Sequence, residues 1–340
     1  MTPDISPLDP DDDAALAAWH HVYLVSARHE LGEVATPWQR EEVRAMLQDT
    51  GSRARSLGWS AVLDGETVGA GWLRTPLLDN LALAELDVHV LPSARRRGVG
   101  SALLARLESE AAARGRRVMT GLASWPYDAG SAGTGASGPE FARAVGFELA
   151  LSEVQRELAL PVEDRVLAGL ADDAARAHGA YTLRSWSGPV PDDLLDGWAR
   201  LTSTLVTEAP TGDLEVEQEA VSTDAVREQE AMLERQGRTK YNTVALSADG
   251  DLVAYSDLAT TIHEPGRAYQ WGTLVHPSHR GHRLGVAVKV ANLRLLQAER
   301  PDIVRVTTYN AELNRHMIGV NEAMGFRPVA RLGDFQKKLG

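Results

Sequence analysis

The sequence predicts two tandem α/β domains, each a mixed twisted sheet flanked by helices. A length of 340 residues suits two domains of ordinary size. The same order of strand-like and helix-like periodicities runs twice along the chain. In each run a strand ends at a proline, passes a basic glycine turn and opens into an alanine- and leucine-rich helix. The expected division is 1–160, a charged connector at 161–179, and 180–340. With 44% hydrophobic residues the chain can bury a real core at each end, which excludes disorder as its main state.

In the first half, helical spacing covers 12–31 and 39–48, with the acidic run at 11–13 as cap and dipole partner. Strands follow at 60–63 and 67–73 around the turn signal DGE, and at 81–90 before Pro92. A helix over 101–114, a strand over 117–123, a small-residue loop at 129–139, a short helix over 140–145 and strand material over 147–160 complete the half. The connector is alanine-rich and expected to be helical. In the second half a strand is expected at 181–186, helices at 192–206 and 223–236, and strands at 241–246, 252–260 and 269–275. A second basic turn, HRGHRLG, then leads into a helix at 284–299, a strand at 303–309, a short helix at 314–323 and a last strand after Gly325-Phe326.

The absence of cysteine excludes disulfides, thiolate catalysis and Cys-ligated metals, leaving oxygen and imidazole chemistry. A formal net charge of −12 argues against nucleic acid as a partner and favours a cationic or amine substrate. No apolar run approaches the roughly 18 residues of a membrane span, and the start MTPDISPLDPDDD is acidic where a signal peptide is basic. No membrane partner and a cytoplasmic location are therefore expected.

Against that negative background, ARRRGVGSALL at 94–104 gathers positive charge where the backbone is barest. A strand feeding a glycine turn and a helix aims unpaired N–H groups and the positive helix end at one point. Such a point attracts phosphate, and arginines beside it add charge-assisted bonds. A solvated basic turn on an ordinary helix start has the same composition, but not the same glycine spacing.

VLPSARRRGVGSALL resembles motif A of the GNAT acetyltransferase superfamily, whose pattern is Gln or Arg, two residues, Gly, one residue, and Gly or Ala. Arg95, Gly98 and Gly100 fit it, and AVGF at 144–147 is similar to the family's later Gly-Phe dipeptide. The resemblance implies acetyl-CoA as co-substrate. Its pyrophosphate would be held by the turn formed by Arg95, Arg96, Arg97, Gly98, Val99, Gly100 and Ser101, after a strand contributing Val88 and Val90. In VHPSHRGHRLGVAVK, Arg280 and Gly285 fall on the pattern beside Gly281, but Arg283 stands where the first glycine belongs. Conversely, NRHMIGVNEAMGF, from Asn314, resembles motif B more closely than anything in the first half. The matches cover most of both halves and resemble a tandem GNAT arrangement.

Acetyl transfer to an amine needs a proton acceptor, because a free alkylamine has a pKa of about 10.4. Glu85, Asp87 and His89 alternate with Leu86, Val88 and Val90 in AELDVHV, so the three polar side chains share one face of the strand. A half-exposed strand has the same alternation, and that alternative stays open. The family's motif B tyrosine is absent: Asn321 and Ala142 occupy its places. Tyr127 is the substitute donor to the leaving thiolate, although a loop tyrosine also packs. Tyr269, Gln270, Asp257, His263 and Glu264 are the weaker candidates of the second half.

GTGASG at 133–138 fits the dinucleotide fingerprint, but several residues follow its strand and Pro139 and a short helix come after, so a lid or linker is expected. His276, His279 and His282 share a three-residue spacing, yet Pro277 and the turn glycines break any helix there, so no metal is expected. Trp59, Trp72 and Trp271 are core packing or an aromatic cleft for an amine. The acidic run 207–219 is a solvated surface or a substrate loop.

The resulting expectation is an N-acetyltransferase moving acetyl from acetyl-CoA to a primary amine of a small molecule by direct attack on the thioester, as a monomer or homodimer. A non-catalytic acyl-CoA sensor and a protein or peptide N-acetyltransferase are the alternatives.

Overall fold

A computed structural model describes residues 2–339. The elements run β1 (Asp4–Pro7), α1 (Asp13–Leu31), α2 (Arg40–Leu47), β2 (Ala54–Leu63), β3 (Glu66–Pro76), β4 (Leu83–Val90), α3 (Val99–Ala113), β5 (Val118–Pro126), α4 (Ser137–Ala144) and β6 (Glu148–Ala159). They continue as α5 (Asp164–Ala175), β7 (Thr182–Ser187), α6 (Asp192–Thr202), α7 (Leu205–Glu208), α8 (Thr223–Arg235), β8 (Arg238–Leu246), β9 (Leu252–Thr261), β10 (Arg267–Val275), α9 (Leu284–Glu299), β11 (Arg305–Ala311), α10 (Arg315–Met324) and β12 (Arg327–Lys338).

Packing draws the line elsewhere than at 160 and 180. One compact unit holds residues 2–153, 211–217 and 329–339; the other holds 154–210 and 218–328. In the first unit the strand order is β1-β2-β3-β4-β5-β12, followed by the first half of β6; in the second it is the remainder of β6, then β11-β10-β9-β8-β7. The last strand of the chain thus completes the first sheet. β12 pairs antiparallel with β5 from Ala330 opposite Pro126 to Lys338 opposite Val118. Gly333 lets that strand press on Trp125, since a Cβ there would come within 2.9 Å of the indole ring. The connector helix α5 is no spacer, because Leu167 is fully buried in the core of the second unit.

Each sheet is mixed: β4–β5 and β10–β11 are parallel, and the hairpins beside them antiparallel. In the first unit, Leu73, Ala84, Leu86, Met119 and Phe335 meet Leu103 and Leu107 of α3 on one face. On the other, Ala70 and Trp72 pack with Trp19 and Tyr23 of α1. α1 starts where Asp12 accepts from the N–H groups of Ala14 and Ala15. β1, unforeseen because Pro3 precedes it and Pro7 ends it, is a short edge strand on β2. Among the described residues no helix is long and apolar enough to cross a membrane.

Candidate functional site

The turn after β4 is built by two left-handed residues, Arg96 (φ 62°) and Gly98 (φ 84°), before α3 begins at Val99. Gly98 is open: no atom lies within 4 Å of where its Cβ would be. Ala102 is the first residue to donate back into the helix, to the Gly98 carbonyl, so the N–H groups of Val99, Gly100 and Ser101 lack helical partners. Gly100 is needed for another reason, since a Cβ there would sit 3.3 Å from the Phe141 ring of α4. Arg95 points back along the turn, donating to the Val90 carbonyl at 3.3 Å and to Ser137 Oγ at 3.0 Å, with Glu30 at 3.7 Å. Arg97 pairs with Asp64 at 2.8 Å. Arg96 is exposed and has no ion-pair partner among the described residues. A bare, cationic helix start of this kind fits a pyrophosphate. Ser26 and Glu30 of α1 and Ser137 of α4, which fix Arg95, were not legible in the sequence because both helices lie far from the turn along the chain.

The second turn follows the same path with its residues exchanged. Gly281 (φ 86°) and Arg283 (φ 55°) occupy the two left-handed positions, so glycine and arginine have swapped places. Arg280 repeats Arg95, donating to the Val275 carbonyl at 3.4 Å. Here, however, both guanidinium groups are engaged: Arg280 pairs with Glu208 at 2.7 Å and Arg283 with Asp173. Gly285 lies on the first turn of α9 and is buried. Asn314 caps α10, accepting from the Met317 N–H at 3.2 Å. Asn321, in the place of the family's tyrosine, is buried and donates to Asn310 Oδ1.

On β4 the apolar residues Ala84, Leu86, Val88 and Val90 join the core beneath α3, and Glu85, Asp87 and His89 take the opposite face. Pairing between β4 and β5 ends at Leu86 opposite Gly121, although both strands continue, so they diverge from Asp87 onward. Asp87 is the first polar residue past that split, and the turn lies at the strand's far end. Register places Leu122, 55% exposed, and Asp334 in the next columns across the sheet.

The site therefore has carboxylates that the sequence did not announce. Asp334 on β12 and Glu153 on β6 join Glu85 and Asp87. Burial, then the nearby Glu85 charge, pushes Asp87 up to about 7. Burial and Asp334 raise Glu153 to about 7, and burial and Glu85 raise Asp334 to about 6. Arg74, from β3, takes Glu85 at 2.5 Å and keeps that carboxylate engaged. His89, against Tyr23 at 4.7 Å between ring centroids, is pushed down to about 4 by burial and the Arg95 charge, so it is neutral at pH 7. A carboxylate that keeps its proton to about pH 7 when folded, but loses it near pH 4 when unfolded, opposes folding increasingly across that interval. Glu153→Gln is accordingly expected to raise the melting temperature at pH 8 by about 2–4 °C and to change it little at pH 4. Paired thermal scans at the two pH values check this.

Tyr127 sits just past the end of β5, on the same edge as the turn, with the Arg331 guanidinium 4.6 Å from its ring centroid. The fingerprint-like loop folds onto Trp125, whose indole N–H donates to the Gly130 carbonyl at 2.8 Å. His279 meets the Tyr181 hydroxyl at 3.0 Å, and His282 packs against the same ring. The second half's polar candidates Asp257, Gln270, Tyr269 and Glu264 are engaged in two separate sets of contacts. Asp257 accepts from the Gly272 N–H at 2.6 Å and pairs with Lys240 at 2.5 Å, and Gln270 donates to the Asp257 and Gly272 carbonyls. Tyr269 donates to Glu264 at 2.5 Å. Trp59 and Trp72 lie in the cores of the first unit, and Trp271 stacks with Lys240 at 5.9 Å.

Residues 17–129, spanning the turn and the split strand, match the acetyltransferase (GNAT) family. A tandem GNAT protein from the clavulanic acid biosynthesis pathway is 30% identical, with 99% of both chains covered and a TM-score of 0.80. The chain belongs to the GNAT acetyltransferase family. A GCN5-related N-acetyltransferase from Sphaerobacter thermophilus shares the GNAT fold at 14% identity, over 99% of this chain and 95% of that one, with a TM-score of 0.63. So does the glucosamine N-acetyltransferase region of a fungal multi-domain GH3 β-N-acetylglucosaminidase, at 16% identity, over 98% and 38% of the chains, with a TM-score of 0.63. No curated protein matches the chain. As a tandem GNAT protein it is an acyltransferase, and its family draws the acyl group from acyl-CoA.

Proposed function

We propose that the protein is an N-acetyltransferase that uses acetyl-CoA to acetylate a primary amine of a small molecule, with the first unit catalytic. The observation that carries this reading is Asp87: a carboxylate held near pKa 7 at the point where β4 and β5 part, on the strand that leads into the phosphate-binding turn. An alkylammonium is roughly three pH units below its pKa at neutrality, so freeing the amine costs about 4–5 kcal/mol. Asp87 takes that proton directly or through a water, a role worth about 10²- to 10⁴-fold. The thioester supplies the activated carbonyl. The nitrogen forms a bond to that carbon, the carbon–sulfur bond breaks, and Tyr127 is the candidate to return a proton to the sulfur. His89, neutral at pH 7, offers no positive charge to repel an incoming ammonium.

Coenzyme binding rests on the first turn alone. Arg280 and Arg283 are each neutralised by a carboxylate, whereas Arg96 is free to meet a phosphate. One acetyl-CoA per chain is the expected calorimetric stoichiometry; two would show that the second turn opens. Incubation with acetyl-CoA and a panel of small amines, following free thiol, tests the reaction itself. Thiol release at background despite tight binding would leave only an acyl-CoA sensor.

A further inference from the structure

The first unit contains a short piece of chain from the far half of the sequence. Residues 211–217 lie between α7 and α8, yet they are tethered to the first unit. Asn80, in the loop before β4, clamps Glu217 twice: its Oδ1 accepts from the Glu217 N–H at 2.7 Å and its Nδ2 donates to the Glu217 carbonyl at 3.2 Å. Gln336 of β12 does the same one step away, accepting from the Glu215 N–H at 2.8 Å and donating to the Asp213 carbonyl at 3.4 Å. Asp213 donates its N–H to the Ala150 carbonyl of β6 at 3.0 Å, and Lys338 pairs with Glu215. Gly212 (φ 57°) passes so close that a Cβ would lie 2.3 Å from the Ala150 oxygen.

These tethers fix where the segment lies. Gln336 is opposite Thr120, which is opposite Glu85, so its side chain is on the carboxylate face of the sheet. That row is next to the one carrying Asp87, Leu122 and Asp334, on the side away from the turn. The segment therefore crosses from β6 over β12 to the loop before β4 and walls off one end of the open face, with Leu214 and Val216 half-buried and Asp213, Glu215 and Glu217 exposed.

We propose that residues 211–217 are the acceptor-specificity wall of the first unit, limiting how far an amine acceptor extends from Asp87. This rests on the acetyltransferase reading of that face. An acceptor long enough to reach past the Asp334 row meets main chain held at both ends by side-chain clamps, whereas a short amine does not. Neither Asn80 nor Gln336 touches the reacting atoms; both are positioning residues.

The test uses the full chain and a homologous series of linear alkylamines and α,ω-diamines. In Asn80→Ala and Gln336→Ala, each of which deletes one clamp, kcat/KM for the longest amines relative to the shortest is expected to rise at least about tenfold, with acetyl-CoA affinity unchanged. Gly212→Ala, which displaces the segment without touching a clamp, is expected to do the same. An unchanged ratio in variants that remain folded overturns the wall. As a readout independent of turnover, a saturating long diamine is expected to slow hydrogen exchange at the Glu215 and Glu217 amides; unaltered exchange also overturns it. Failure of the wild type to acetylate any amine would instead count against the acetyltransferase reading, with the exchange result still deciding the wall.

Discussion

Gly98→Asp combined with Gly100→Asp is expected to weaken acetyl-CoA binding by at least about 100-fold while leaving the fold cooperative. Two charge-assisted hydrogen bonds from main-chain amides to phosphate are together worth about 3 kcal/mol or more, and a like charge at the same point adds repulsion. The substitution does not act by melting α3, because acidic side chains at a helix start are favourable to the helix. Two structural costs are foreseeable. Gly98 has φ 84°, which an L side chain adopts at a cost of about 1–2 kcal/mol. At Gly100 the new Cβ meets Phe141 at 3.3 Å, so α4 must give slightly. A matched pair in the second turn, Gly281→Asp with Gly285→Asp, separates the effects: it repeats the left-handed cost at Gly281 (φ 86°) with a looser contact at Gly285, 3.7 Å from Val275, and coenzyme affinity is expected to hold. Calorimetric titration of both doubles, with thermal melts as the control for folding, reads the difference. Equal affinity in the first pair and the wild type would remove the turn from the site.

Asp87→Asn carries the other large effect. The amide fills the same space and cannot take a proton, so kcat/KM for the amine is expected to fall by about 10²- to 10³-fold with coenzyme affinity unaltered. The sign of the pH dependence follows from the raised value. Below about pH 7 Asp87 holds its proton and cannot act as base, so wild-type kcat/KM should climb through an inflection near 7 and level off above it. In Asp87→Asn that inflection should vanish. Glu85→Gln should move it lower, because Glu85 is one of the charges that raises Asp87 and its loss leaves the Arg74 cation unpaired nearby. An inflection that survives unchanged in Asp87→Asn would assign the base elsewhere, with Glu153 the next carboxylate to test.

Local signals decided much of this. The helix over 284–299 coincides with its periodicity, and α1 begins one residue inside its expected start, because apolar spacing and caps act within a few residues. The motif A turn was legible for the same reason: glycine, arginine and the following helix are adjacent in sequence, and the electrostatics of a helix start need nothing more. The alternation that puts Glu85, Asp87 and His89 on one face is likewise a property of any strand.

What the sequence by itself determined, then, is the two-fold α/β plan, the family and the basic glycine turn proposed to bind phosphate. Only the tertiary structure decided which distant pieces meet there. β12 leaves the second half to pair with β5 and brings Asp334 onto the carboxylate face within the field of Glu85, β6 supplies Glu153, and residues 211–217 cross one end of the same face. The swap of glycine and arginine in the second turn carried a sequence signature, but its neutralisation by Glu208 and Asp173 did not. The reason is physical: strand pairing and ion pairing join residues far apart in the chain through backbone hydrogen bonds and charge that any compatible partner could satisfy, and only the packed chain selects which partner does.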